Sequence, residues 1–181
     1  LEGSTITAKT SDGFIGDMTV IAGKDARLDD VFTPEKNVKA ESMSIRAGDA
    51  VNFGEGTVAL ETKKDLTVEA NHLTGDRIAA ESVLTAGSAL SISVKEDLHV
   101  EEGVQASGKN VMFSSKDFTL ADRTTVRGGS TAEIDASGEV AFTGDVLVTA
   151  DDSVGIGAAS GGITFTGAVT VGDETKAENK A

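Results

Sequence analysis

Residues Leu90–Phe142 read LSISVKEDLHVEEGVQASGKNVMFSSKDFTLADRTTVRGGSTAEIDASGEVAF. Apolar residues arrive in pairs spaced i, i+2: Leu90 and Ile92, Leu98 and Val100, Val111 and Phe113, Phe118 and Leu120, Ile134 and Ala136, Val140 and Phe142. Such a pair puts two side chains on one face of a strand. Successive pairs start 8, 13, 7, 16 and 6 residues apart, and single anchors at Val104 and Val126 divide the long gaps, so every step falls between 6 and 8. The stretch predicts one very short strand about every seven residues, with no helix between.

The beat extends in both directions. Upstream it takes in Ile6 and Ala8, Met18 and Val20, Met43 and Ile45, Val51 and Phe53, Val58 and Leu60, and Leu66 and Val68. Downstream it continues through Val146 and Val148, Val154 and Ile156, Ile163 and Phe165, and Val169 and Val171. Ser11-Asp12-Gly13, Gly48-Asp49, Gly54-Glu55-Gly56 and Lys63-Lys64-Asp65 punctuate it. Gly accepts positive φ and Asp bonds its own backbone, which suits them to turns. Residues 25–40 are the least regular. Leu28, Val31 and Phe32 are apolar there, and the single proline sits in Thr33-Pro34-Glu35-Lys36-Asn37. Proline cannot donate to a strand ladder, so a protruding loop is expected. Residues 71–89 blur as well. Ala79–Leu84 could pass for a helical turn, but its neighbours favour strand.

The same face should return every third beat. Ile6 to Leu28 is 22 residues, Val20 to Met43 is 23, Leu28 to Val51 is 23, Met43 to Leu66 is 23 and Leu66 to Leu90 is 24. Leu90 to Val111 is 21, Leu98 to Phe118 is 20, Val111 to Ile134 is 23 and Phe118 to Val140 is 22. Val126 to Val146 is 20, and both Val140 to Ile163 and Val146 to Val169 are 23. This recurrence predicts an all-β fold, a parallel β-helix (β-solenoid) with three short strands per rung and 20–24 residues per rung. About 7–8 rungs at ~4.8 Å give a rod of roughly 35–38 Å. Residues 1–172 form one solenoid segment and 173–181 a polar tail. An antiparallel sandwich or barrel is the competing reading. The evenness of the strands disfavours it, and so does the rarity of hairpin dipeptides, of which Asp12-Gly13 is the only example.

Composition agrees with a narrow, regular core. Among 181 residues there are 21 Gly, no Cys, no Trp and no Tyr, so Val, Ile, Leu, Ala and seven Phe must fill the interior. The net charge of −14 disfavours nucleic acid as a partner. No run approaches the ~20 apolar residues needed to span a bilayer, so membrane insertion is not expected. Leu1–Thr10 lacks the features of a signal peptide, and the absence of an initiator Met suggests a processed or excised piece. Neither end reads as a cap. The chain is therefore expected either to be cut from a longer solenoid or to stack its ends on other copies.

No catalytic, cofactor-binding or metal-binding residue is assigned. His72 and His99 are the only histidines, and His99, between Leu98 and Val100, should face solvent. Acidic pairs occur at Asp29-Asp30, Glu101-Glu102 and Asp151-Asp152. Clustered carboxylates on one outer face could bind cations or do acid–base work. Asp122-Arg123 and Asp145 lie 23 residues apart, with Arg127 nearby and Asp76-Arg77 a further example. Trp and Tyr, which commonly line sugar grooves, are absent. Gly128-Gly129 and Gly161-Gly162 do not continue into a nonapeptide calcium repeat. Gly155-Ile156-Gly157 sits in a strand with no helix following, so it is no phosphate loop. Lys63-Lys64 reads as a solvated corner.

The units Met43-Ser44-Ile45-Arg46-Ala47-Gly48, Asp65-Leu66-Thr67-Val68-Glu69-Ala70, Ile134-Asp135-Ala136-Ser137-Gly138 and Leu147-Val148-Thr149-Ala150 share a phrasing of apolar-x-apolar-x-Ala. Over most of residues 17–172 this resembles the repeat region of filamentous-haemagglutinin-type bacterial exoproteins. The resemblance implies a non-enzymatic, extracellular or cell-surface rod. It would serve as an adhesin shaft or stalk and meet a host-cell or glycan surface. It carries over no functional residue. A looser resemblance, to bactofilins, implies a self-assembling filament subunit associating end to end. A carbohydrate-active β-helix enzyme acting on polysaccharide is the alternative from another class.

Overall fold

Each i, i+2 pair becomes a strand with alternate side chains turned inward, and the strands stack in parallel because the same pattern returns one turn later. The computed structural model describes residues 13–29 and 31–172, and in it the chain winds as a parallel β-solenoid of about seven turns. We number the turns by residue: 18–40, 43–62, 66–86, 89–108, 110–128, 131–150 and 153–172. Six spacings of ~4.8 Å make the described stack roughly 29 Å long.

Three faces enclose the core. The first carries Met18–Ala22, Met43–Ala47, Leu66–Ala70, Ala89–Val94, the later parts of Gln105–Ser115 and Thr125–Ala136, and Ser153–Ala158. The second starts with Ala26–Arg27, Ala50–Asn52 and His72–Leu73. It resumes with Arg77–Ile78, Leu98–Val100, Phe118–Leu120, Val140–Thr143 and Ile163–Thr166. The third carries Lys39–Ala40, Ala59–Thr62, Val83–Ala86, the earlier parts of the two long strands, Val146–Ala150 and Val169–Gly172.

Register turns the sequence beat into columns. On the first face Met18, Met43, Leu66, Leu90, Val111, Ala132 and Val154 lie in line. Beside them run Val20, Ile45, Val68, Ile92, Phe113, Ile134 and Ile156. On the second face Ile78, Val100, Leu120, Phe142 and Phe165 form another column. Phe113 and Phe118 meet across the core at 5.5 Å between ring centroids, and Phe142 stacks on Phe165 at 5.0 Å. Full burial of each such side chain stabilises the fold by about 1.5–3 kcal/mol. Buried polar groups are matched: the Ser82 hydroxyl accepts the Val58 N–H at 2.9 Å, and the Thr124 hydroxyl donates to the Glu101 carbonyl at 3.2 Å.

Several anchors shift relative to the sequence reading. Val20 pairs with Ile45 rather than Met43, and Val51 takes Ala26 rather than Leu28 as its partner. Val111 pairs with Ala132, leaving Ile134 to Phe113, and Val126 pairs with Val148 rather than Val146. Each shift is two residues. Every strand offers two equivalent inward positions, so the pattern fixes the face but not which member starts the rung. The spacing range also widens, since Met18 pairs with Met43 across 25 residues. Apart from Ile6 to Leu28, the remaining recurrences, among them Met43 to Leu66, Leu98 to Phe118 and Val140 to Ile163, are direct partners. Ile6 and Ala8, the polar tail and Asp30 lie outside the described residues.

Three strands per turn is modified in the middle. Gln105–Ser115 and Thr125–Ala136 each run from the third face onto the first as one bent strand, with a register slip between Gly108 and Asn110. A Cβ at Gly128 would collide with the Thr131 carbonyl, so the bend needs glycine there. The Pro34 segment is a turn, as expected: the Lys36 and Asn37 N–H groups bond back to the Thr33 carbonyl at 3.0 and 3.3 Å. It is also pinned from below, because Phe32 is buried and meets Phe53 edge-on at 6.1 Å. Within 71–89, Val83–Ala86 is strand. Among the described residues the sole helical turn is the single 3₁₀ turn Thr74–Asp76, where the second face is interrupted.

Candidate functional site

Corners gather most of the charge, because inward positions are apolar and the corner backbone must find partners outside a regular ladder. The corner from the second face to the third holds the densest group. Arg77 bridges Glu55 on the turn before and Glu101 on the turn after, the latter at 2.8 Å. The second Glu101 oxygen accepts the Ala80 N–H at 3.0 Å. These acids hold the Arg77 guanidinium above its ordinary pKa, the Glu101 hydrogen bond contributing most. Arg123 reaches Glu81 at 3.1 Å and Glu102 at 3.5 Å. Its Nε lies 4.0 Å from Asp122 Oδ2, while Asp122 Oδ1 makes a bond along the rod.

That bond repeats. Asp122 Oδ1 accepts the Asp145 N–H at 2.7 Å, and Asp145 Oδ1 accepts the Ala168 N–H at 3.3 Å. Each carboxylate thus holds a backbone donor of the following turn. The same arrangement recurs at other corners: Asp65 Oδ1 accepts Ala89 N–H at 3.1 Å, and Asp117 Oδ1 accepts Glu139 N–H at 2.8 Å. The Glu139 N–H, more than the neighbouring Lys116, holds the Asp117 carboxyl below its ordinary pKa. Lys116 sits between Asp97 at 3.3 Å and Asp117 at 3.7 Å and is held above its own. A corner N–H left without a partner would cost ~1–3 kcal/mol if buried, and a carboxylate supplies a strong acceptor.

The residues singled out in the sequence are distributed as follows. Asp122 and Asp145 stack one turn apart, as the spacing implies. Arg127 does not join that corner. It lies on the outer surface of the third face, level with Ser107 and Thr149. Glu101 and Glu102 split between two arginines, and Asp76 lies in the 3₁₀ turn with φ of 53°. Asp29, Asp151 and Asp152 are exposed. His99 faces outward, and His72 is partly exposed with Nδ1 3.8 Å from Asp49. Lys63 and Lys64 are more than solvated: both reach Glu41, at 3.1 and 3.8 Å, and Lys63 lies over the Phe14 ring. Gly155 and Gly157 lie within the strand Ser153–Ala158. Among the described residues no group of three or more His, Asp or Glu is placed to hold a metal ion.

Interior space is small. A void of about 20 Å³, lined chiefly by Val51, Phe53, Leu73, Ile78 and Leu84, opens where the 3₁₀ turn interrupts the second face. That is room for one water and no more. The surface that sequence reasoning missed is the seventh turn. Residues 153–172 contain no charged residue and no proline, and residues 128–172 contain no Lys or Arg. Its inward residues were legible as strand pairs. Their exposure was not. Ile163 is 40 % exposed and Phe165 51 %, whereas their column partners Val140 and Phe142 are 0 %.

No protein-family model, no curated protein and no solved structure matches the chain.

Proposed function

We propose that the chain is a non-enzymatic structural rod of a bacterial cell-surface or secreted protein, an adhesin shaft or stalk that meets a host-cell or glycan surface. The observation that supports this reading is the direction of the corner bonds. Asp65, Asp117, Asp122 and Asp145 each hold a backbone N–H one turn on. Arg77 ties three successive turns together. These side chains serve cohesion along the axis, which is what a shaft requires. One oxygen of Asp122 and one of Asp145 are committed to those bonds, which leaves a single oxygen of each for any proton transfer.

Two measurements test the proposal. Incubation with acidic polysaccharides is expected to give no turnover, while Asp122→Ala and Asp145→Ala lower thermal stability. Turnover that is lost in either variant would overturn the reading. Antibody against the chain is expected to label intact source cells or their culture fluid, and label appearing only after permeabilisation would contradict the placement.

A further inference from the structure

The second face is broken between the second and third turns, and the break lies over the interior void. Across that step the first face is paired through Met43–Ala47 with Leu66–Ala70, and the third through Ala59–Thr62 with Val83–Ala86. The second face is paired at its start, Ala50 with His72 and Val51 with Leu73. The 3₁₀ turn then displaces the strand, and Arg77–Ile78 finds its partner on the fourth turn instead. Among the described residues no backbone hydrogen bond joins 53–57 to 74–80.

Side chains span the gap. Glu55 pairs with Arg77. The Thr57 hydroxyl donates to the Ala80 carbonyl at 3.1 Å, and the Val58 N–H donates to the Ser82 hydroxyl at 2.9 Å. Beneath them the void is lined by the buried Leu73, Ile78 and Leu84. The covering segment is lightly held. Gly54 has φ of 90°, which favours glycine, and a Cβ at Gly56 would meet nothing within 4 Å. The Glu55 side chain is 85 % exposed, whereas Arg77, at 33 %, is anchored on its other side by Glu101 at 2.8 Å. The ion pair thus has one fixed half and one free half, and salt screens it.

We propose that residues 54–57 form a flap over the apolar crevice between the second and third turns, latched by the Glu55–Arg77 pair. Ionic strength then sets how often the crevice opens, while the paired first and third faces hold the two turns together. Such an opening is local and leaves the rest of the stack folded. The flap is a property of one joint and does not depend on where the rod is deployed.

The chain has no cysteine, so a single introduced thiol reports the opening. Ala79 lines the void and is buried. The full 181-residue chain carrying Ala79→Cys is alkylated with iodoacetamide, an uncharged reagent, at low and high salt. Ala132→Cys, buried in the sixth turn, is the control. Alkylation of the Ala79→Cys chain is expected to rise about two- to fivefold in high salt, the weight of one exposed ion pair. The control rate is expected to stay unchanged. Adding Glu55→Gln or Arg77→Met is expected to give a similar rise at low salt and to remove the salt dependence, with each variant folded by circular dichroism. These two replacements shift the local potential in opposite senses, so acceleration by both reports opening and not an altered thiol pKa. Should Arg77→Met fold poorly, Arg77→Gln replaces it. A rate that ignores both salt and Glu55→Gln overturns the proposal. So does acceleration by Glu55→Gln with slowing by the Arg77 variant, since the thiol pKa alone would then have moved. A rise shared by the Ala132→Cys chain overturns it too, because the whole rod would then be loosening.

Discussion

The sixth and seventh turns share the same columns and differ in what lies above them. Residues 131–150 are clamped between neighbours on both sides, and Ile134, Val140, Phe142 and Val148 are fully buried. Residues 153–172 repeat that pattern with Ile156, Ile163, Phe165 and Val171, yet their inward side chains are partly or largely exposed. The sixth turn carries four acids and no base, while the seventh carries no charge. Burial in a solenoid is therefore a property of the stack, and a turn acquires a core only from the next turn.

The largest expected effect comes from breaking a central column. Val140→Asp would bury a charge without a partner, and a loss of about 3–5 kcal/mol in denaturant unfolding is expected. Ile163→Asp, one turn further along the same column, should cost less than half as much because solvent reaches the site. Equal costs would mean that the seventh turn is covered. Phe142→Ala against Phe165→Ala sharpens the contrast without charge. The first should lose about 3–5 kcal/mol and the second clearly less, read by thermal melting.

A smaller effect is expected at the corners. Asp122→Ala leaves the Asp145 N–H to water, and a loss of about 0.5–1.5 kcal/mol in chemical denaturation is expected. Thr143→Asp, outward on the strand that carries Val140 inward, gives up only the hydroxyl bond to the Leu120 carbonyl and should fall near the low end of that range.

The smallest effect is one of pH. The Asp117 carboxyl is held below its ordinary pKa in the folded chain, chiefly by the Glu139 N–H. Its contribution to stability is therefore complete above the unfolded value of about 3.9 and is lost as pH falls through the lower folded value. The melting difference between wild type and Asp117→Asn should be present at neutral pH and shrink on acidification below that value. A difference that grows on acidification would contradict the assignment.

Much of this architecture was legible in the sequence. Leu90 with Ile92 and Val140 with Phe142 specify inward parity, and their spacing specifies the turn. The two-residue shifts at Val20, Val51, Val111 and Val126 were not legible, because parity leaves two equivalent anchors on each strand. The bent strands through Gly108 and Gly128 were hidden for a related reason: a corner that stays hydrogen-bonded has the same glycine signature as one that does not. At the candidate corner, the 23-residue spacing of Asp122 and Asp145 correctly stacked them. Their engagement with backbone N–H groups depends on side-chain direction, which spacing does not encode. Phe165 was legible as an inward residue, but its exposure depends on the neighbouring turn.

Hydrogen exchange tests the central claim most directly. Amides of Leu98–Val100, Phe118–Leu120 and Val140–Thr143 should exchange slowly. Amides of Ile163–Thr166 and Val169–Gly172 should exchange faster. Protection of the seventh turn equal to that of the middle turns would contradict the account.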